Sequence, residues 1–172
     1  MSRARLEGDL AGLHTASFGW ALGCCHGDRG EAEEVLQSTY LKVLDGQARF
    51  DGGSSFKTWL FAVIRNTAAE RRRGRWRRAV VLGRWPGARA EPPPVPDPER
   101  LAREGEETRR LRDSLRVLPS RQRELLHLVF YQDLSVEEAA AVIGVSVGSA
   151  RTHYHRAKVR LRRLLDRPGP SR

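Results

Sequence analysis

Two cysteines are all that the 172-residue chain holds, and they are neighbours, Cys24 and Cys25. Adjacent cysteines do not readily meet disulfide geometry, so no disulfide framework is expected. His14 and His26 lie nearby, but no Cys-x-x-Cys pair accompanies them, and a zinc site is not expected. The thiols read instead as small buried side chains in a helix. No apolar run approaches the length that spans a bilayer, and the N-terminus lacks a signal-peptide pattern. A cytoplasmic location is the expectation. Carboxylates and histidines do not cluster in the manner of a general acid–base pair or a metal-dependent nuclease, so neither catalysis nor a cofactor is expected. Strand-like alternation of apolar and polar residues is missing too. Acidic residues run short in one place: residues 65–89 carry nine arginines and one acid, Glu70.

What is present is positive charge, with 31 Lys+Arg against 21 Asp+Glu and a net charge of +10. Residues 1–64 hold six basic and eight acidic side chains, so the excess is local. A basic tract that includes Trp76 and Trp85 suggests a footprint for a polyanion. Proline crowds the stretch from Pro86 to Pro98, which no helix can cross and which acts as a semi-stiff spacer. The expected organisation is therefore all-α: two small helical domains, 1–80 and 100–167, joined by a proline-rich linker at 81–99.

In the first domain the pattern predicts helices at roughly 5–25, 31–46 and 55–75. On the second, Ala32, Val35, Leu36, Thr39, Tyr40, Val43 and Leu44 form the inward stripe. Glu33, Glu34, Gln37, Ser38, Leu41 and Lys42 remain outside. The loop from Gln47 to Ser55 is rich in turn formers, and Ser54 or Ser55 caps the next helix. Phe56, Trp59 and Phe61 open that helix, at least two of them as core.

The second domain reads as four helices. A charged helix at 99–117 ends before Pro119, and Ser120 caps 121–131. Ser135 and Glu138 match a capping box. That short helix ends near Gly144, and Ser146 caps a last helix with Val147, Ala150, Tyr154, Ala157, Leu161 and Leu164 along one side. Its other side carries Gly148, Thr152, His155, Arg156, Val159 and Arg163. Two helices joined by a short glycine turn, the second with a basic outer face, form a helix-turn-helix whose second helix suits the DNA major groove.

These segments resemble a known family. Leu118-Pro-Ser-Arg-Gln-Arg-Glu124, Asp133-Leu-Ser-Val-Glu-Glu-Ala-Ala140 and Gly144-Val-Ser-Val-Gly-Ser-Ala-Arg151 are similar to the fourth conserved region of bacterial sigma-70 factors. Gly30-Glu-Ala-Glu-Glu-Val-Leu-Gln37 and Phe56-Lys-Thr-Trp-Leu-Phe-Ala-Val-Ile-Arg-Asn66 resemble the second. With only these two regions and a short linker, the chain resembles the extracytoplasmic-function group. It departs from the common pattern at Ser38, where an acidic residue is usual.

The resemblance implies a transcription initiation factor with no catalysis of its own. It implies contact with core RNA polymerase at the β′ clamp helices, through Glu33, Glu34, Gln37 and Leu41, and at the β flap. An anti-sigma factor is implied as regulator. Arg49, Asp51, Ser54, Ser55 and Lys57 would receive an unstacked base of the −10 element, a process costing a few kcal/mol that stacking offsets. Arg65, Asn66, Arg71, Arg72 and Arg73 would hold phosphates. Ser149, Arg151, Thr152, His155, Arg156, Lys158 and Arg162 would meet the −35 element, with Arg156 suited to guanine and Lys158 and Arg162 to phosphate. A helix-turn-helix regulator acting without polymerase is the main alternative.

Overall fold

The computed structural model describes residues 3–82 and 105–166, and every regular element among them is helical. The chain divides into two units, Met1–Pro94 and Val95–Arg172. The proline-rich stretch, with Trp85, and the start of the expected charged helix lie outside the described residues.

The first unit contains α1 (Arg3–Gly12), α2 (His14–Cys24), α3 (Arg29–Leu44) and α4 (Phe56–Val81). The single helix expected at 5–25 is two, because Leu13 leaves helical geometry at φ −98° and ψ 2°. The break follows Gly12, a residue that weakens helix continuity, and both halves pack on α3. α3 starts earlier than the stripe suggested because Asp28 caps it, accepting from the Glu31 amide at 2.9 Å. α4 is capped by Ser55, which accepts from the Thr58 amide at 3.1 Å. It runs past residue 75 to Val81, with Leu82 as its C-cap; Val81 thus belongs to a helix and not to a linker.

The core of this unit lies where α2, α3 and α4 meet. Trp20, Val35, Leu60, Phe61 and Ile64 are buried there. The Trp20 indole donates to the Phe61 carbonyl at 2.9 Å, which satisfies the one polar atom this large ring buries. Truncation of Trp20 to Ala would cost about 3–5 kcal/mol.

The second unit comprises α5 (Glu106–Arg116), α6 (Ser120–Phe130), α7 (Val136–Ile143) and α8 (Val147–Leu165). Ser120 does not cap α6; it is the first helical residue, and Pro119 precedes it with no side-chain cap. The capping box of α7 is present in both halves, Ser135 to the Glu138 amide at 3.1 Å and Glu138 back to the Ser135 amide at 2.9 Å. Gly144 ends α7 in the left-handed conformation at φ 68°, which glycine adopts without the penalty a Cβ brings. Ser146 then caps α8. Leu118, Leu126 and Ala157 form a buried cluster on which Leu115, Tyr154, Leu161 and Leu164 pack. Val147, expected in the stripe, is 38% exposed because it opens the helix at the turn, where no neighbour covers it.

Candidate nucleic-acid interface

α8 divides its two roles by angle. Ala150 and Ala157 are fully buried, and their small side chains let the helix lie close against α6 and α7. Ser149, Arg151, Thr152, His155, Arg156, Lys158 and Arg162 are all exposed. The first of these starts within the cap, its amide donating to the Ser146 hydroxyl at 3.2 Å. Arg151 reaches back to Glu137 on α7 at 2.7 Å. That hydrogen bond, more than charge alone, holds the Glu137 carboxyl below the usual carboxylate range. Thr152 donates to the Gly148 carbonyl at 3.0 Å. Lys158 sits 4.6 Å from the Tyr154 ring centroid, so its ammonium is steadied by the π face.

In the first unit, the loop before α4 is exposed from Asp51 to Ser55. Asp51 closes a tight turn by accepting from the Gly53 amide at 3.0 Å, and Arg49 donates to the Gly46 carbonyl at 3.2 Å. Ser54 donates to the Ser55 carbonyl at 3.2 Å. Of the three aromatics opening α4, Phe61 alone is fully buried, with Lys57 5.7 Å from its ring centroid. Phe56 and Trp59 are half-buried and meet Phe50 in a triangle of rings 5.4–5.5 Å apart. The expectation of two core aromatics is thus corrected to one. The other two line an aromatic edge beside the polar loop, a surface on which a base could stack.

Further along α4, Asn66, Arg72 and Arg73 are exposed and Arg65 is half-buried. Trp76, 59% exposed, follows among them. Arg71 differs from its neighbours, because its guanidinium is bonded to Glu34 and lies 3.5 Å from the Ser38 hydroxyl. Arg75 pairs with Glu31 at 2.6 Å, and Lys42 with Glu70 at 2.5 Å. Glu31, Glu34, Ser38 and Lys42 follow one helical stripe of α3, and that stripe faces α4. Glu34 stays exposed, as expected, with its carboxylate bonded to Arg71; Ser38 and Lys42, expected to point outward, are half-buried against α4, where Arg71 and Glu70 complement them. Glu33, Gln37 and Leu41 are exposed, with Glu33 paired to Arg29 on its own helix at 3.1 Å. Sequence reasoning missed Glu31, Arg75 and Glu137. The signal for the first was present, since Glu31, Glu34, Ser38 and Lys42 recur at spacings of three and four.

Models of Sigma-70 region 2 and Sigma-70, region 4 match residues 18–78 and 108–161. A probable RNA polymerase sigma-C factor of Mycobacterium bovis is 33% identical over 140 residues, covering 81% of this chain and 72% of that protein. The ECF RNA polymerase sigma factor SigX of Bacillus subtilis is 30% identical over 144 residues, 81% and 73% of the two chains. The chain belongs to the ECF group of RNA polymerase sigma factors.

Solved structures carry the same fold. RpoE of Bartonella quintana, in complex with the anti-sigma factor NepR, matches with a TM-score of 0.74 and 27% identity over 94% of this chain and 98% of that one. CnrH, in complex with the cytosolic domain of CnrY, matches with a TM-score of 0.60 and 26% identity over 92% and 86%. In this sigma factor the two cysteines are free. Burial first, then the nearby Glu31 and Asp28 carboxylates, push the Cys25 thiol up to about 12, so it is an inert part of the packing. Among the described residues no group of three or more His, Cys, Asp or Glu could hold a metal, and no helix is long and apolar enough to cross a membrane.

Proposed function

We propose that this sigma factor reads the −35 element with the outer face of α8 and captures a −10 base beside the loop at 49–57. The observation that carries the reading is the split of α8 into buried alanines and an exposed basic face. Arg156 recognises guanine through the paired donors of its guanidinium, while Lys158 and Arg162 meet phosphate. Ser149, Arg151, Thr152 and His155 complete the contact. In the first unit, Arg49, Asp51, Ser54, Ser55 and Lys57 receive the base beside the aromatic edge of Phe50, Phe56 and Trp59. Arg65, Asn66, Arg72 and Arg73 hold the strand by its phosphates; Arg71 joins them when it leaves Glu34.

Glu33, Gln37 and Leu41 dock on the β′ clamp helices, with Glu34 at the margin of that face, and the second unit engages the β flap. The factor works in the cytoplasm without catalysis or cofactor of its own, held in check by an anti-sigma partner, as the RpoE complex with NepR suggests. Titration of reconstituted holoenzyme on −35 variants at several salt concentrations tests the reading. Arg156→Ala should lose about 1–3 kcal/mol at one base pair and relax preference there. Arg162→Ala should weaken all variants alike and reduce the salt slope by about one. A uniform loss from Arg156→Ala would mean that this side chain meets phosphate and that α8 is turned differently in the groove.

A further inference from the structure

We propose that Glu137 is a positioning residue for promoter recognition: it orients Arg151 at the start of α8 so that the guanidinium meets the −35 element already aimed. The inference rests on the assignment of α8 to that element, and three observations lead to it. First, an exposed arginine side chain tends to sample many rotamers unless something holds it. The Glu137 carboxylate, 2.7 Å from Arg151 Nη2, counters that tendency. Second, α7 begins with two adjacent acids that do different work. Glu138 is consumed by the capping box, whereas Glu137 is left to reach across the turn. Third, the pair contributes little to the fold, because its side chains are 70% and 50% exposed and an exposed ion pair is weakly stabilising.

What such a pair does supply is direction. Glu137 binds one end of the guanidinium, and no other bond of Arg151 is made among the described residues, so its remaining N–H groups point to solvent. The left-handed Gly144 and the Ser146 cap fix the turn between α7 and α8, and so fix the carboxylate relative to the helix it serves. An arginine held this way loses less freedom on binding a base or phosphate than one that must first be ordered. The carboxylate also repels the DNA backbone, so it lowers binding to arbitrary sequence while sharpening the choice of one.

The test is a binding titration of holoenzyme on −35 variants and on non-promoter DNA, with Glu137→Ala, Glu137→Gln, Arg151→Ala and the double variant Glu137→Ala/Arg151→Ala. Glu137→Ala should lower base preference at the position Arg151 reads by roughly 2- to 10-fold, the range of one rotamer-rich side chain ordered on binding. Binding to non-promoter DNA should hold or strengthen, and the melt of the free protein should be unchanged. Glu137→Gln, which keeps an acceptor without the charge, should restore part of the preference. Equal behaviour of the Ala and Gln variants would overturn the proposal in favour of simple charge repulsion. A loss from Glu137→Ala that persists in the Arg151→Ala background would overturn it as well, because Glu137 would then act without Arg151. If Arg151→Ala leaves preference unchanged, the reading of Arg151 fails and the proposal with it; if Arg151→Ala lowers preference and Glu137→Ala does not, only the proposal fails.

Discussion

Burial pushes the His127 imidazole down to about 4, and the Gln132 amide lies 3.2 Å from its Nε2. The ring is therefore neutral in the folded protein, with the Tyr131 ring tilted beside it at 5.5 Å. An unfolded chain protonates such a ring near pH 6.5, so the unfolded state binds the proton first as pH falls. Stability is complete above about pH 6.5 and declines toward about pH 4, by at most roughly 3 kcal/mol. In urea unfolding, wild type should lose stability between pH 7.5 and 5 while His127→Gln loses clearly less. Parallel losses in the two proteins would show that His127 takes no part. The histidine's position was plain in the sequence but its burial was not. It follows α6 residues Leu125 and Leu126, and only the packing of α6 decides which side of the helix it shares.

At the scale of elements, α8 was legible because a stripe of period 3.6 needs nothing beyond the sequence to specify its inner face. Tyr154 shows the stripe at work: it packs on the Leu118–Leu126–Ala157 cluster, faces Phe130 at 6.1 Å and carries Lys158 on its ring. Tyr154→Ala should cost about 2 kcal/mol, since the ring is half-buried, and a thermal melt that does not move would place the ring outside the core. α3 was read less well. Its apolar stripe was right at Ala32, Val35, Leu36, Thr39 and Val43, which are buried, while Tyr40 and Leu44 are half-buried. Its polar side was treated as one outward face, though α4 partly covers Glu31, Ser38 and Lys42 and bonds the still exposed Glu34. Ion pairs between helices depend on packing that no local period encodes. The docking test therefore belongs on the uncovered edge: Glu33→Lys with Leu41→Asp should reduce capture of core polymerase at least tenfold, about 1.4 kcal/mol or more, with an unchanged melt. Normal capture would move the docking surface elsewhere.

At the scale of the whole molecule, two helical units each carry exposed basic side chains, on α4 and on α8. Affinity from such surfaces comes mainly from counterion release and collapses with salt. The two-unit, all-helical plan was legible because the proline-rich stretch interrupts two runs of helical periodicity, and two motifs occur in the order of one family. The Leu13 break and the extension of α4 to Val81 were not legible, because both turn on weak local preferences that packing settles. Run-off transcription with purified core polymerase, read beside DNA binding by the free chain, bears on the account most directly. Discrete, promoter-specific transcripts are expected only when protein and core are combined, with weak, salt-labile binding by the protein alone. Tight sequence-specific binding by the free chain at physiological salt, with no transcript added to core, would contradict it and identify a regulator that acts without being a polymerase subunit.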